Sequence, residues 1–234
     1  MTPETAPLNV AVLASGGGSN FQALLDHASS DDRGWRIALL VMNREAGAAD
    51  RARASNVPVR VITTKDRSDG DVAAETLAAF EAHDIEVVLL AGYLRRIPSE
   101  VTRRYAGRML NIHPALLPAF GGKGMYGMNV HRAVAASDAL TTGATVHFVD
   151  DAYDEGAILG QWHVAHLPGD APEDIAARVL EVEHRLYPAA VDHLCTALRA
   201  GVTPERMFDV RLDEPPDSDH SGFSSLHESN EEVR

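Results

Sequence analysis

Cysteine is nearly absent: Cys195 is the only one in 234 residues. An internal disulfide and any cysteine-based zinc cluster are therefore excluded, and a lone cysteine inside an expected helix reads as a small core or half-buried residue. Long apolar runs are missing as well. No stretch of eighteen apolar residues occurs, so nothing in the sequence reads as a bilayer-spanning helix. Met1 to Leu8 has neither the basic start nor the apolar centre of a signal peptide, and the expected location is cytoplasmic. Positive charge is scarce, with 21 Lys and Arg against 34 Asp and Glu, a formal net charge of −13. Non-specific nucleic-acid binding needs clustered Lys and Arg to displace counterions, so no nucleic-acid partner is expected. No His-Glu-x-x-His or comparable ligand set occurs, and no metal is expected.

What is present is enough apolar content, 45% of residues, to bury a real core. Asn9 to Ser15 is a short apolar run ending in glycines, a buried first strand. A helix is expected from Ser19 or Asn20, with Phe21, Leu24 and Leu25 inward. Strands are expected over 37–42, 57–62, 85–90 and 108–112, and helices over 69–83 and 99–106. A helix over 129–136 then leads to strands at 144–149 and 157–164. The last helix is long, 172–200, and Pro188 should kink or interrupt it. Asp170 and Glu173 make a capping-box pattern at its start, and Gly201 a stop.

Strand-helix alternation through residue 115 predicts an α/β fold: one domain, 1–205, with a doubly wound, mostly parallel sheet and a long C-terminal helix. Residues 206–234 form an acidic tail with little to bury, expected to be disordered. Ligands of such sheets bind at the carboxyl ends of the strands, near the switch in strand order. Ser15 to Asn20, Gly92 to Ile97 and Asn111 to His113 each follow a strand and should converge there.

The turn Ser15-Gly16-Gly17-Gly18-Ser19-Asn20 allows close backbone approach to an anion at a helix N-terminus. It is not a dinucleotide fingerprint, because Phe21 replaces the third glycine and the second strand ends in Met42-Asn43-Arg44 rather than an acid. Nor is it a P-loop, since no Gly-Lys-Ser/Thr follows. A phosphate monoester is the expected ligand.

Asn111, His113 and Asp154 suit acyl transfer. An imidazole exchanges protons near neutrality, and an amide N–H can hold a carbonyl oxygen as it becomes an oxyanion. Asn111 and His113 stand two apart on an extended segment and point to the same side, and Asp154 is placed to pair with His113 and orient its ring. His147, inside a strand, reads equally as a core histidine; His163 and His166 face opposite sides and make no metal pair.

Four segments carry a resemblance: Ser15 to Asn20, Ala91-Gly-Tyr-Leu-Arg95, Leu110-Asn-Ile-His-Pro-Ala-Leu-Leu-Pro118, and Thr145 to Asp151 with Asp154. In order and spacing, from about residue 8 to 200, the sequence resembles the folate-dependent formyltransferase superfamily and, within it, the phosphoribosylglycinamide formyltransferases. The resemblance implies 10-formyltetrahydrofolate as co-substrate and Asn111, His113 and Asp154 as the catalytic trio. It implies that Gly18, Ser19 and Asn20 hold the ribose phosphate of the acceptor and that Glu183 contacts that substrate. Leu94, Arg95, Arg96 and Ile97 would line the folate pocket, with Met109 as an apolar wall and the loop from Val149 to Asp154 against the pterin.

Three departures stand out. The loop Gly121 to Met128 is longer than in the commonest bacterial form, and its Lys123 either reaches the phosphate or is solvated. Leu180 takes the place of a polar substrate contact, and Arg67 is only a stand-in for an expected folate arginine.

The implied reaction is formyl transfer to phosphoribosylglycinamide in purine synthesis, by a monomer or homodimer. The alternatives are transfer to methionyl-tRNA, which usually goes with an added RNA-binding domain, and formyltetrahydrofolate hydrolysis. The hydrolase usually carries a preceding regulatory domain, for which a strand beginning at residue 9 leaves no room. A non-catalytic nucleotide- or folate-binding module is the third, and the intact trio speaks against it.

Overall fold

The computed structural model describes residues 6–29 and 34–207, and the acidic segment from residue 208 onward lies outside them. The described elements, in chain order, are β1 (Leu8–Ala14), α1 (Ser19–Ala28), β2 (Trp35–Met42), α2 (Gly47–Ala54), β3 (Val59–Val61), α3 (Asp69–Glu81) and β4 (Val87–Leu90). They continue with α4 (Ser99–Arg104), β5 (Met109–His113), α5 (Met128–Ala135), β6 (Thr141–Phe148), β7 (Ile158–Ala165) and α6 (Pro172–Ala200).

The strands form one sheet of order β3-β2-β1-β4-β5-β6-β7. β1 to β5 pair in parallel, and β6 and β7 add antiparallel. Near-continuous apolar strands such as Val87-Val-Leu-Leu90 require cover on both faces. One face carries α1, α2, α5 and α6, with Phe21, Leu24, Val130 and Val179 in its core. The other carries α3 and α4, with Val72, Phe80 and Val101. Cys195 lies buried in the first, its thiol pushed up to about 12 by burial.

Several local expectations are corrected. The helix α2 is absent from the sequence expectation because its inward positions are only Ala48, Ala49 and Ala52, which mark no apolar stripe. The third strand shrinks to three residues, Val59–Val61. Pro188 does not interrupt α6, which runs unbroken although Pro188 has no N–H to give to the preceding turn. The cap of α6 also moves. Pro172 opens the helix, so the Asp174 carboxylate accepts from Ala171 N at 3.1 Å, while Asp170 pairs with Arg178 at 2.9 and 3.0 Å. The packed body reaches past the boundary expected at 205. Arg206 donates to Gln161 Oε1 at 2.9 Å and Met207 is buried, its N–H on Leu159 O.

The switch in strand order falls between β1 and β4, whose following loops diverge to opposite faces. They are stitched together there: Ser15 N–H donates to Gly92 O at 3.1 Å, and Leu94 N–H to Ser15 Oγ at 2.9 Å. Tyr187, fully buried in α6, shares its hydroxyl proton between Leu90 O and Leu110 O, each at 3.1 Å. That contact fixes α6 to the carboxyl ends of β4 and β5. Glu183, one turn earlier on the same face, is thereby brought to the sheet edge.

Candidate active site

A cavity of about 550 Å³ opens at this edge. Asn111 and His113 enter it from β5, Asp154 from the β6–β7 loop, and Asn20 and Glu183 from α1 and α6.

β5 and β6 run antiparallel with Asn111 opposite His147. Directly opposed side chains meet, and Asn111 Nδ2 lies 3.0 Å from His147 Nε2. The other ring nitrogen, Nδ1, is 2.9 Å from Phe148 O. A carbonyl only accepts, so Nδ1 carries the proton and Nε2 receives the Asn111 amide. Burial holds the His147 pKa below its usual value, which keeps this neutral tautomer. His147 thus sets the direction of the Asn111 amide and leaves its second N–H for a ligand. Its strand gives no hint of this; only the register across β5 does.

His113 is buried, with Nε2 donating to Phe120 O at 2.8 Å. Its Nδ1 faces Asp154 Oδ2 at 3.6 Å, and His147 Nε2 faces Asp154 Oδ1 at the same distance. Both separations are beyond a hydrogen bond, and the carboxylate stands between the two imidazoles. Asp154 is held there by Gly122 N–H at 2.9 Å on Oδ2, and its own backbone takes a left-handed φ of 58°. The backbone beyond His113 is pinned from the antiparallel strands. Thr145 Oγ1 donates to Ala115 O at 2.7 Å and accepts from Leu117 N at 3.0 Å, and Gln161 donates to Leu117 O at 2.9 Å.

Asn20 Nδ2 donates to Glu183 Oε2 at 2.9 Å. Glu183 is otherwise enclosed, and burial pushes its carboxyl up to about 7. Asn20 Oδ1 and His131 Nδ1 are buried on the cavity wall without a hydrogen-bond partner among the described residues. Burial, and then His113, lower the His131 pKa. Unsatisfied polar atoms of this kind are costly in a core and belong where a ligand completes them. The lining also includes Leu94, Arg95, Arg96, Ile97 and Val149, and the exposed rings of Tyr126 and Tyr153. Among the described residues no group of three or more His, Cys, Asp or Glu is arranged to hold a metal ion.

The formyl transferase family model matches residues 8–191. The chain belongs to the formyl transferase family. A chloroplastic phosphoribosylglycinamide formyltransferase of Arabidopsis thaliana is 45% identical over 189 residues, covering 80% of this chain; the chain spans only 65% of that relative's length. The phosphoribosylglycinamide formyltransferase of Mycobacterium tuberculosis (strain CDC 1551 / Oshkosh) is 41% identical over 83% of this chain and 88% of its own. The crystal structure of glycinamide ribonucleotide transformylase 1 from Geobacillus kaustophilus superposes with a TM-score of 0.75 at 38% identity, covering 81% of this chain and 99% of that one.

In this formyl transferase chain the residues expected at the site fall into three sets. Asn111, His113, Asp154, Asn20, Glu183, Leu94, Arg95, Arg96, Ile97 and Val149 all line the cavity. Gly18 and Ser19 sit in the accessible turn beside it rather than on its wall. Met109 is a correction: it is fully buried in the core, one strand alternation below Asn111, and forms no wall. His131 lines the cavity unannounced, since a histidine on a helix carries no local mark of function; His147, which the sequence leaves equally as a core histidine, and Tyr93 line it too. Arg67 is occupied elsewhere, donating to Glu75, Thr63 O and Asp71 O. Among the described residues no helix is long and apolar enough to cross a membrane.

Proposed function

We propose that the chain transfers the formyl group of 10-formyltetrahydrofolate to the amine of 5'-phosphoribosylglycinamide, as in de novo purine biosynthesis, giving the N-formyl product and tetrahydrofolate. The observation that carries this reading is the seating of Asn111, His113 and Asp154 between two unlike walls. On one side Asn20 and Glu183 stand next to the glycine turn, suited to a phosphorylated, hydroxyl-bearing acceptor. On the other, Leu94 to Ile97 and Val149 offer the apolar and cationic lining suited to a folate. The names of the relatives, phosphoribosylglycinamide formyltransferases, support the acceptor half of this reading. The proposed setting is the cytoplasm, with small molecules as partners and a monomer or homodimer as the working form.

The acceptor amine attacks the formyl carbon, and the carbonyl oxygen becomes an oxyanion. The free N–H of Asn111 and a protonated His113 stabilise it; one preorganised donor is commonly worth about 10²–10³ in rate. The new C–N bond forms, the bond from carbon to the folate nitrogen breaks, and one proton passes between the two nitrogens. His113, or a water held by Asp154, carries that proton. Holding both substrates in one cavity supplies much of the remaining acceleration. Purified protein given 10-formyltetrahydrofolate with phosphoribosylglycinamide, methionyl-tRNA or water alone should release tetrahydrofolate fast only with the first. Comparable turnover with either of the others would overturn the assignment.

A further inference from the structure

The glycine turn is held open from behind. Each of its four successive carbonyls has a donor from a residue that does not line the cavity: Ser15 O takes Arg44 Nε at 3.1 Å, Gly16 O takes Ala48 N at 3.1 Å, Gly17 O takes Arg51 Nε at 2.8 Å, and Gly18 O takes Gln22 N at 2.9 Å. With the carbonyls so directed, the amides of Gly16 to Asn20 donate to no protein group among the described residues. They form an accessible row of donors suited to an anion.

The four restraints are unequal. Ala48 N and Gln22 N belong to helix first turns, whereas Ser15 O and Gly17 O depend on arginine side chains, and of these two only the Gly17 carbonyl belongs to a peptide that joins two glycines. The Gly17–Gly18 peptide lies between two residues without Cβ atoms, so little opposes its rotation by half a turn. That rotation would replace the Gly18 N–H facing the anion with the Gly17 carbonyl oxygen. Arg51 opposes it, and is itself braced along α1: its Nη1 donates to Gln22 Oε1 at 2.9 Å, and Gln22 Nε2 donates to Asp26 Oδ1 at 2.7 Å.

We infer that Arg51 is the positioning residue of the phosphate-binding turn. It does not touch the phosphate; it fixes the peptide whose N–H does, and sets affinity for the phosphorylated acceptor. This rests on the acceptor assignment proposed above.

In Arg51→Met the KM for phosphoribosylglycinamide should rise about ten- to a hundredfold, the loss of one or two hydrogen bonds to a charged group. The kcat and the folate KM should stay within about twofold. Arg51→Lys, which can still reach a carbonyl with one donor, should recover part of the loss and covers the case in which Arg51→Met does not fold. With dephosphorylated glycinamide riboside as acceptor, parent and variant should differ little in KM. Arg53→Met, on the same helix but paired with Glu45 and Asp50, is the control and should leave all constants unchanged. Equal KM increases for the phosphorylated and dephosphorylated acceptors, or no increase, would overturn the inference. Ribose 5-phosphate binding by calorimetry separates it from the acceptor assignment. If the parent fails to formylate phosphoribosylglycinamide, weaker ribose 5-phosphate binding by Arg51→Met still supports the role of Arg51, and unchanged binding refutes it.

Discussion

Glu183 is 6% exposed and, among the described residues, has one donor, the Asn20 amide at 2.9 Å. Burial raises its carboxyl from 4.5 to about 7, so between those values the folded chain holds a proton that the unfolded chain has released. This contribution to stability is full below about pH 4.5 and is lost as pH rises through 7. Above it, the buried carboxylate costs on the order of 3 kcal/mol. Glu183→Gln should therefore be more stable than the parent by up to that amount in urea melts at pH 8, and nearly equal at pH 4. The same variant should bind the acceptor less well. A stability difference that does not change with pH would show that Glu183 is not destabilised by burial. Such a residue is legible in the sequence only through the family resemblance, because a glutamate in a helix of mixed polarity has no local mark of enclosure.

At the scale of elements, the proposed catalytic and binding groups are held by ends and turns, and one glycine decides the first of these. Gly18 has φ 75°, and a Cβ there would stand 2.7 Å from Ala48 Cβ. Gly16 and Gly17 have neither restriction. Gly18→Ala should lose about 2–4 kcal/mol from left-handed strain and overpacking against α2, read from the urea midpoint. Gly17→Ala should lose much less. Equal losses would mean that α2 does not pack on the turn as described. The strands carrying the site are legible because parallel, doubly covered strands are continuous apolar runs, as in Val87 to Leu90. The helix α2 is not, being alanine-faced, and the His147–Asn111 pair depends on a cross-strand register that no single segment encodes.

The whole molecule is a doubly wound sheet whose switch point between β1 and β4 gathers three sequence-distant loops. The alternation of elements and the strand-end motifs foretell that gathering. His131 on the wall, and Met109 beneath it, follow from packing and appear only once the elements are assembled. The central claim is that Asn111, His113 and Asp154 transfer a formyl group. Its most direct test is turnover of 10-formyltetrahydrofolate with phosphoribosylglycinamide by the purified parent, His113→Ala and Asp154→Asn, with circular dichroism confirming that each is folded. The expected result is turnover in the parent and a loss of orders of magnitude in both variants; near-parental turnover in either folded variant would contradict it.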